Sequence, residues 1–323
     1  MEKQNLFINR EISWLAFNER VLQEAEDDRN LLGDRIKFLS IFSSNQDEFF
    51  RVRVAMLKRF CLMHKRERRY LHDDPEEIMR QVQDIVKKQR VRSEHIYKSI
   101  LQELKNKKIF ILQRNELNED QMKFVLNYFF TKIRPQIFPM MIDRRMSFPY
   151  LKDNSLYLAV ELKRKTGKQI RYSIIEVPTQ SLPRFIKLPG SGNETHIILI
   201  DEIVRCGLPS IYAIHNFTEF HSYNFKVTRD AEMEIDEDDI SVSYLEKISE
   251  GLLQREKGEI IRFVYDQAMP ITMLNMFISK NKIKRLDTLS AGSRYHKLKD
   301  FMAFPKIAGL PTTEIKPPFR HSR

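Results

Sequence analysis

Cysteine is scarce in this 323-residue chain: Cys61 and Cys206 stand far apart, so neither a disulfide framework nor a zinc site is expected. Glycine is scarce too, at nine residues, which argues against Gly-rich linkers and phosphate loops. No nucleotide-binding Gly-x-x-x-x-Gly-Lys-Ser/Thr or Gly-x-Gly-x-x-Gly pattern occurs, and no Gly-x-Ser-x-Gly elbow. No apolar run approaches the roughly 20 residues needed to span a bilayer. The first residues, MEKQNLFINR, have no apolar stretch of the kind a signal peptide carries. A reducing cytoplasm is the expected setting.

What is present is basic and rich in core-forming residues. Lys and Arg number 55 against 44 Asp and Glu, a net charge of +11. That excess favours a polyanionic partner: nucleic acid, a phosphate chain, or an anionic membrane surface met peripherally. The length suits two domains of ordinary size. We expect an N-terminal helical up-down bundle over 1–107 and an α+β head over 108–306 with a mostly antiparallel sheet backed by helices. A linker over 307–323 is expected to follow.

Four helices can be read in the first part. Ser13 is a candidate cap for one that places Trp14, Phe17, Val21 and Ala25 on a single face. Leu32, Ile36, Leu39 and Phe42 mark the second, and Phe49, Val52, Met56, Phe60 and Met63 the third. Asp74-Pro75-Glu76-Glu77 opens a long fourth helix with a cap, a first-turn proline and two acids suited to the helix dipole. Between the second and third lies Ser43-Ser44-Asn45-Gln46-Asp47-Glu48, which reads as a turn. Its polar groups either cap the third helix or, through the Asn45 amide, recognise a ligand. The third helix is then strongly basic, with Arg51, Arg53, Lys58, Arg59, Lys65, Arg66, Arg68 and Arg69 against Glu67. Such a run is either a solvated face or one that needs an anion or an acidic partner close by.

Beyond Lys108 the pattern changes. Strands are expected at 108–112, 155–163, 169–177, 195–200, 222–228 and 259–265. Helices are expected from Asn118, capped with Gln121, from Asp201 as far as Gly207-Leu208-Pro209, over 240–255, and from Pro270. The acidic stretch Asp230 to Asp239 lacks metal-ligand spacing. None of the eight histidines sits in a metal or nucleophile arrangement; His296, beside Arg294, Tyr295 and Lys297, has no assignable base or nucleophile partner.

Several segments taken in order carry a resemblance. They are Ile12-Ser13-Trp14-Leu15-Ala16-Phe17-Asn18-Glu19-Arg20-Val21-Leu22, Arg35-Ile36-Lys37-Phe38-Leu39 and Ser44-Asn45-Gln46-Asp47-Glu48-Phe49-Phe50. Tyr128-Phe129-Phe130, Pro135, Pro139-Met140, Phe148-Pro149 and Phe225-Lys226-Val227-Thr228-Arg229-Asp230 come next, and then Arg294-Tyr295-His296 and Lys299-Asp300-Phe301. Together they resemble the bacterial polyphosphate kinases of the first type, from about residue 5 to 305.

The resemblance implies an ATP:polyphosphate phosphotransferase, whose substrates are ATP and polyphosphate and whose ion is Mg²⁺. It implies a head domain used in homo-oligomers. It also implies that the phosphohistidine and the metal ligands belong to C-terminal catalytic domains expected beyond the linker, so no histidine here inherits those roles. One functional position carries over: Asn45, in the motif whose asparagine contacts the adenine end of ATP. A non-catalytic paralogue acting as an interaction module is the alternative. A nucleic-acid-binding protein is a third reading, which lacks any recognised nucleic-acid module.

Overall fold

The computed structural model describes residues 8–68, 70–142, 148–165, 170–190, 192–231, 258–281, 283, 288–292 and 297–313. The helix expected at 240–255, most of the acidic stretch, His296, residues 166–169 and everything from 314 onward lie outside them.

The N-terminal part is helical, with one correction to its connectivity. The first helix, α1 (Arg10–Glu26), is capped by Asn9, whose side chain accepts from the Glu11 amide, and not by Ser13. Its buried face is Glu11, Leu15, Asn18, Leu22 and Ala25, one residue out of phase with the face expected, and Phe17 is exposed. The expected turn at Ser43–Glu48 is helical. Helix α2 (Leu32–Phe49) runs through it into a π-helical turn (Phe50–Val54) and on into α3 (Ala55–Leu62) without a break. A short α4 (Lys65–Arg68) comes next, and the long α5 (Pro75–Asn106) starts at its Asp74 cap as expected.

The π-turn inserts one residue and so rotates the downstream helix by about 100°. The buried stripe shifts accordingly. Phe49 and Phe50 are both buried, and beyond them Val54, Leu57 and Cys61 face the core in place of the expected Val52, Met56 and Phe60. Two consecutive phenylalanines can then point into two different surroundings. Phe49 stacks on Trp14 at 4.6 Å, and Phe50 lies under the Arg262 guanidinium at 4.4 Å.

The α+β part contains two sheets among the described residues. The smaller has the order β1 (Ile109–Leu112), β6 (Thr195–Leu199), β5 (Phe185–Lys187), with β1 and β6 parallel. The larger has the order β2 (Met140–Ile142), β4 (Arg171–Val177), β3 (Leu156–Lys163), β7 (Glu219–Arg229), β8 (Ile260–Asp266), β9 (Thr288–Gly292). It is antiparallel except for its β8–β9 pair. The sheets are therefore mixed, and the short β2, β5 and β9 escaped the sequence reading because three to five residues carry little alternation.

Helix α6 (Glu119–Tyr128) begins with the expected Asn118–Gln121 capping box. Helix α7 (Ile200–Ile211) runs through Pro209 rather than ending there, and Asp201 lies inside it. Asp201 is fully buried, ion-paired to Arg184 at 3.0 Å and Arg205 at 3.3 Å, and it accepts from Asn224 at 2.8 Å. Burial alone would raise its carboxyl, but the two arginines and the amide outweigh that and hold it below the ordinary value. Helix α8 (Ile271–Lys280) starts after Pro270 as expected.

Strand alternation distributes the apolar side chains over separate cores. Ile197, Leu199 and Phe185 face α1, α2 and α5, while Ile186 and Ile198 face α6 and α7. Phe225, Val227 and Phe263 pack on Phe277 of α8. The chain then returns to the helical part. Phe301, Phe304 and Ala308, the last two in α9 (Phe304–Ala308), share the core of α2 and α5. Thr313 donates to Asp34 from both its amide (2.9 Å) and its hydroxyl (2.6 Å), so residues 307–313 of the expected linker are packed. No helix among the described residues is long and apolar enough to cross a membrane.

Helix α7 approaches the π-turn (Phe129–Ile133) after α6 at Gly207, where an added Cβ would meet the Phe129 ring at 2.2 Å. Both elements are fixed in the same core. Gly207→Ala should therefore lower stability by about 1–3 kcal/mol, measured by urea unfolding; an unchanged midpoint would show that the two elements separate freely.

Candidate functional site

Asn45 lies in α2, in the segment the sequence suggested was a turn. Within a continuous helix it caps nothing. It is half-buried, and its Nδ2 donates to Asn18 Oδ1 of α1 at 3.1 Å. Asn18 is fully buried and donates in turn to the Phe42 carbonyl at 3.3 Å. This relay fixes the Asn45 amide plane. Its carbonyl oxygen accepts no hydrogen bond from a described residue. An amide held this way offers an acceptor and a remaining N–H side by side.

Two residues further along, and so on nearly the opposite side of the helix, Asp47 faces the head. Strand β7 alternates: Phe225 and Val227 enter the α8 core, which turns Lys226 to the other face. In register on β8, Val264 lies opposite Lys226 and Arg262 opposite Thr228, so Lys226 and Arg262 share that face. Lys226 Nζ donates to both Asp47 oxygens, at 2.7 and 2.8 Å, and Arg262 lies 3.7 Å from the same carboxylate. Arg262 also donates to Gln46 Oε1 at 3.3 Å. Lys226 and Arg262 are 4% exposed, so two buried cations share one carboxylate.

Desolvation lowers both cations' pKa values. Asp47 opposes this, while Arg262 adds to it for Lys226 and Arg90 adds to it for Arg262, which is brought down to about 10. The cleft around them is open to solvent and has a cavity volume of about 70 Å³, with Ser43, Arg90, Ser93, Glu94, Gly292 and Lys297 among the other lining residues. Asn45 is not one of them.

The basic run along the π-turn and the helices after it also meets acids of the same chain. Arg51 lies 3.6 Å from Asp153, Lys58 pairs with Glu259 at 2.8 Å, Arg59 pairs with Asp230, and Arg68 pairs with Glu76 at 2.6 Å. The acidic partner that this run needs is, for these residues, supplied by the head and by α5. Among the described residues no group of three or more His, Cys, Asp or Glu side chains could hold a metal ion.

Comparison with known proteins settles the family. The polyphosphate kinase N-terminal domain matches residues 7–112 and the polyphosphate kinase middle domain matches residues 120–304. This chain belongs to the polyphosphate kinase family. It is 39% identical over 322 residues to the polyphosphate kinase of Vibrio cholerae serotype O1, covering 98% of this chain and 45% of that one. With the polyphosphate kinase of Escherichia coli K12 it shares 36% identity over 311 residues, covering 95% and 44%. The crystal structure of polyphosphate kinase from Porphyromonas gingivalis superposes with a TM-score of 0.78 at 28% identity, over 97% of this chain and 43% of that one. The chain thus spans less than half the length of the polyphosphate kinases it matches.

Sequence reasoning singled out Asn45 and missed the residues around it. Asn18 carries a readable signal, a polar side chain on the apolar stripe of α1. Lys226 carries another, a cation in an alternating strand whose phase turns it inward. Arg262 was legible only as part of a strand, because its partner Asp47 is more than two hundred residues away.

Removing the shared carboxylate should leave two buried cations facing each other. Asp47→Ala is expected to cost about 3–5 kcal/mol in urea unfolding, and Asp47→Asn/Lys226→Gln to recover part of it. An Asp47→Ala cost below 1 kcal/mol would show that the cations are hydrated and the clamp contributes little.

Proposed function

We propose that this chain forms the nucleotide-facing N-terminal part of an ATP:polyphosphate phosphotransferase, with Asn45 contacting the adenine. The observation that carries the reading is the Asn18–Asn45 relay, which orients an amide whose oxygen is left to accept. Adenine presents a donor and an acceptor on one edge, and a fixed amide pairs with both. Family membership supports ATP and polyphosphate as substrates.

In this reading the ATP γ-phosphoryl passes to polyphosphate through a phosphohistidine in the part of the relatives that this chain does not match. Residues 8–313 position the base and shape the assembly. Mg²⁺ belongs to the same reaction, and in this reading its ligands lie in that same unmatched part. The reading also includes a cytoplasmic setting and self-association through the head.

Two measurements test it together. The 323-residue chain with ATP and Mg²⁺ should form no polyphosphate; clear synthesis would contradict the division of labour. Joined to the remaining C-terminal portion of the Vibrio cholerae relative, the chain should support synthesis. There Asn45→Ala should raise the KM for ATP about tenfold with little change in kcat, the mark of lost ground-state binding. An unchanged KM would remove Asn45 from the site.

A further inference from the structure

The cleft between α2, α5 and the β7–β8 face is a second polar centre, separate from Asn45. Four cations line it, Arg90, Lys226, Arg262 and Lys297, against two carboxylates, Asp47 and Glu94. Lys226, Arg262 and Lys297 are each less than 10% exposed. Asp47 is already engaged by Lys226 and Arg262, and Lys297 reaches Thr179 at 3.0 Å and Asp300 only at 3.8 Å. Arg90 is close enough to Arg262 to oppose its charge.

Two buried polar atoms here have no hydrogen-bond partner: Gln46 Nε2 and Arg262 Nε. Both are N–H donors, on residues that line the cleft and are 6% and 4% exposed. Buried donors without acceptors are costly, and clustered cations with too few acids repel one another. One kind of occupant resolves both: a compact anion rich in acceptor oxygens. A divalent cation would add to the positive charge, and an apolar ligand would leave the donors unsatisfied.

We propose that this cleft binds a phosphate-type oxyanion, held by Arg90, Lys226, Arg262 and Lys297 and by the Gln46 amide. The cavity, about 70 Å³, has room for one phosphoryl group, and its open mouth lets any linked groups extend toward solvent. They could come from an inorganic phosphoanhydride or from the phosphate tail of a nucleotide, chemistry the two share. The site rests on the cleft's own donors and charge, and it stands whether or not Asn45 contacts adenine.

Calorimetric titration of the 323-residue chain with inorganic tripolyphosphate tests it. Saturable binding is expected, weakening steeply with added NaCl as screening predicts. Arg90→Gln and Lys297→Gln should each weaken it about tenfold, while Asn45→Ala leaves it unchanged. Arg90 is half-exposed and makes no ion pair with a described residue, so its variant decides the matter if Lys297→Gln fails to fold. A parallel titration with ATP separates the sources. ATP binding weakened by Arg90→Gln as tripolyphosphate binding is would assign the cleft to nucleotide phosphates as well; ATP binding weakened only by Asn45→Ala would assign it to the inorganic chain. Absence of saturable tripolyphosphate binding, or binding that both cleft variants retain at wild-type strength, would overturn the proposal.

Discussion

The structure turns on one shared carboxylate. Asp47 leaves α2 toward the head and is met by Lys226 and Arg262, two cations that sheet alternation drives off the α8 core and onto the opposite face. The contact joins residues about 180 and 215 positions apart in the chain. It fixes the rotation of α2 about its own axis, because only one face of the helix can present Asp47 to the sheet. Once that rotation is set, Asn45 is turned to α1, where Asn18 orients it.

The π-turn belongs to the same constraint. A regular helix cannot bury Phe49 against Trp14 and Phe50 against Arg262 while also directing Leu57 and Cys61 into the α5 core. An added residue per turn resolves the conflict at a modest local cost. The cationic residues beyond it then meet Glu259 and Asp230 on the head. A run that reads in sequence as a surface for a foreign polyanion is, at Arg51, Lys58, Arg59 and Arg68, an intramolecular seam, and the net charge of +11 is not altered by these pairs.

How much of this was legible depended on the range of the cause. Local causes were read well: the Asp74-Pro75 start of α5, the Asn118–Gln121 capping box and the Pro270 start of α8 all lie within a few residues of their effects. The Ser43–Glu48 segment was misread as a turn because six polar residues break the apolar stripe. They are polar because α2 there faces Asn18 on one side and buried cations on the other, and composition cannot tell a helix with two polar partners from a loop. Asp201 was read only as opening α7, and its buried pairs were missed for a related reason: Arg184 and Asn224 come from other parts of the chain. At the candidate site, the family motif supplied Asn45, while the relay that orients it and the clamp beside it appear only when the chain is folded.

The central claim is that helical part and head are held as one unit by the buried clamp and the seam beyond it. Trp14, the only tryptophan in the chain, reports on the helical part through its stacking on Phe49. Amide exchange over Leu156–Lys163 in β3 reports on the head. Followed through one urea titration, the two signals should change at the same midpoint. Loss of the Trp14 signal at a urea concentration where the β3 amides remain fully protected would contradict the account.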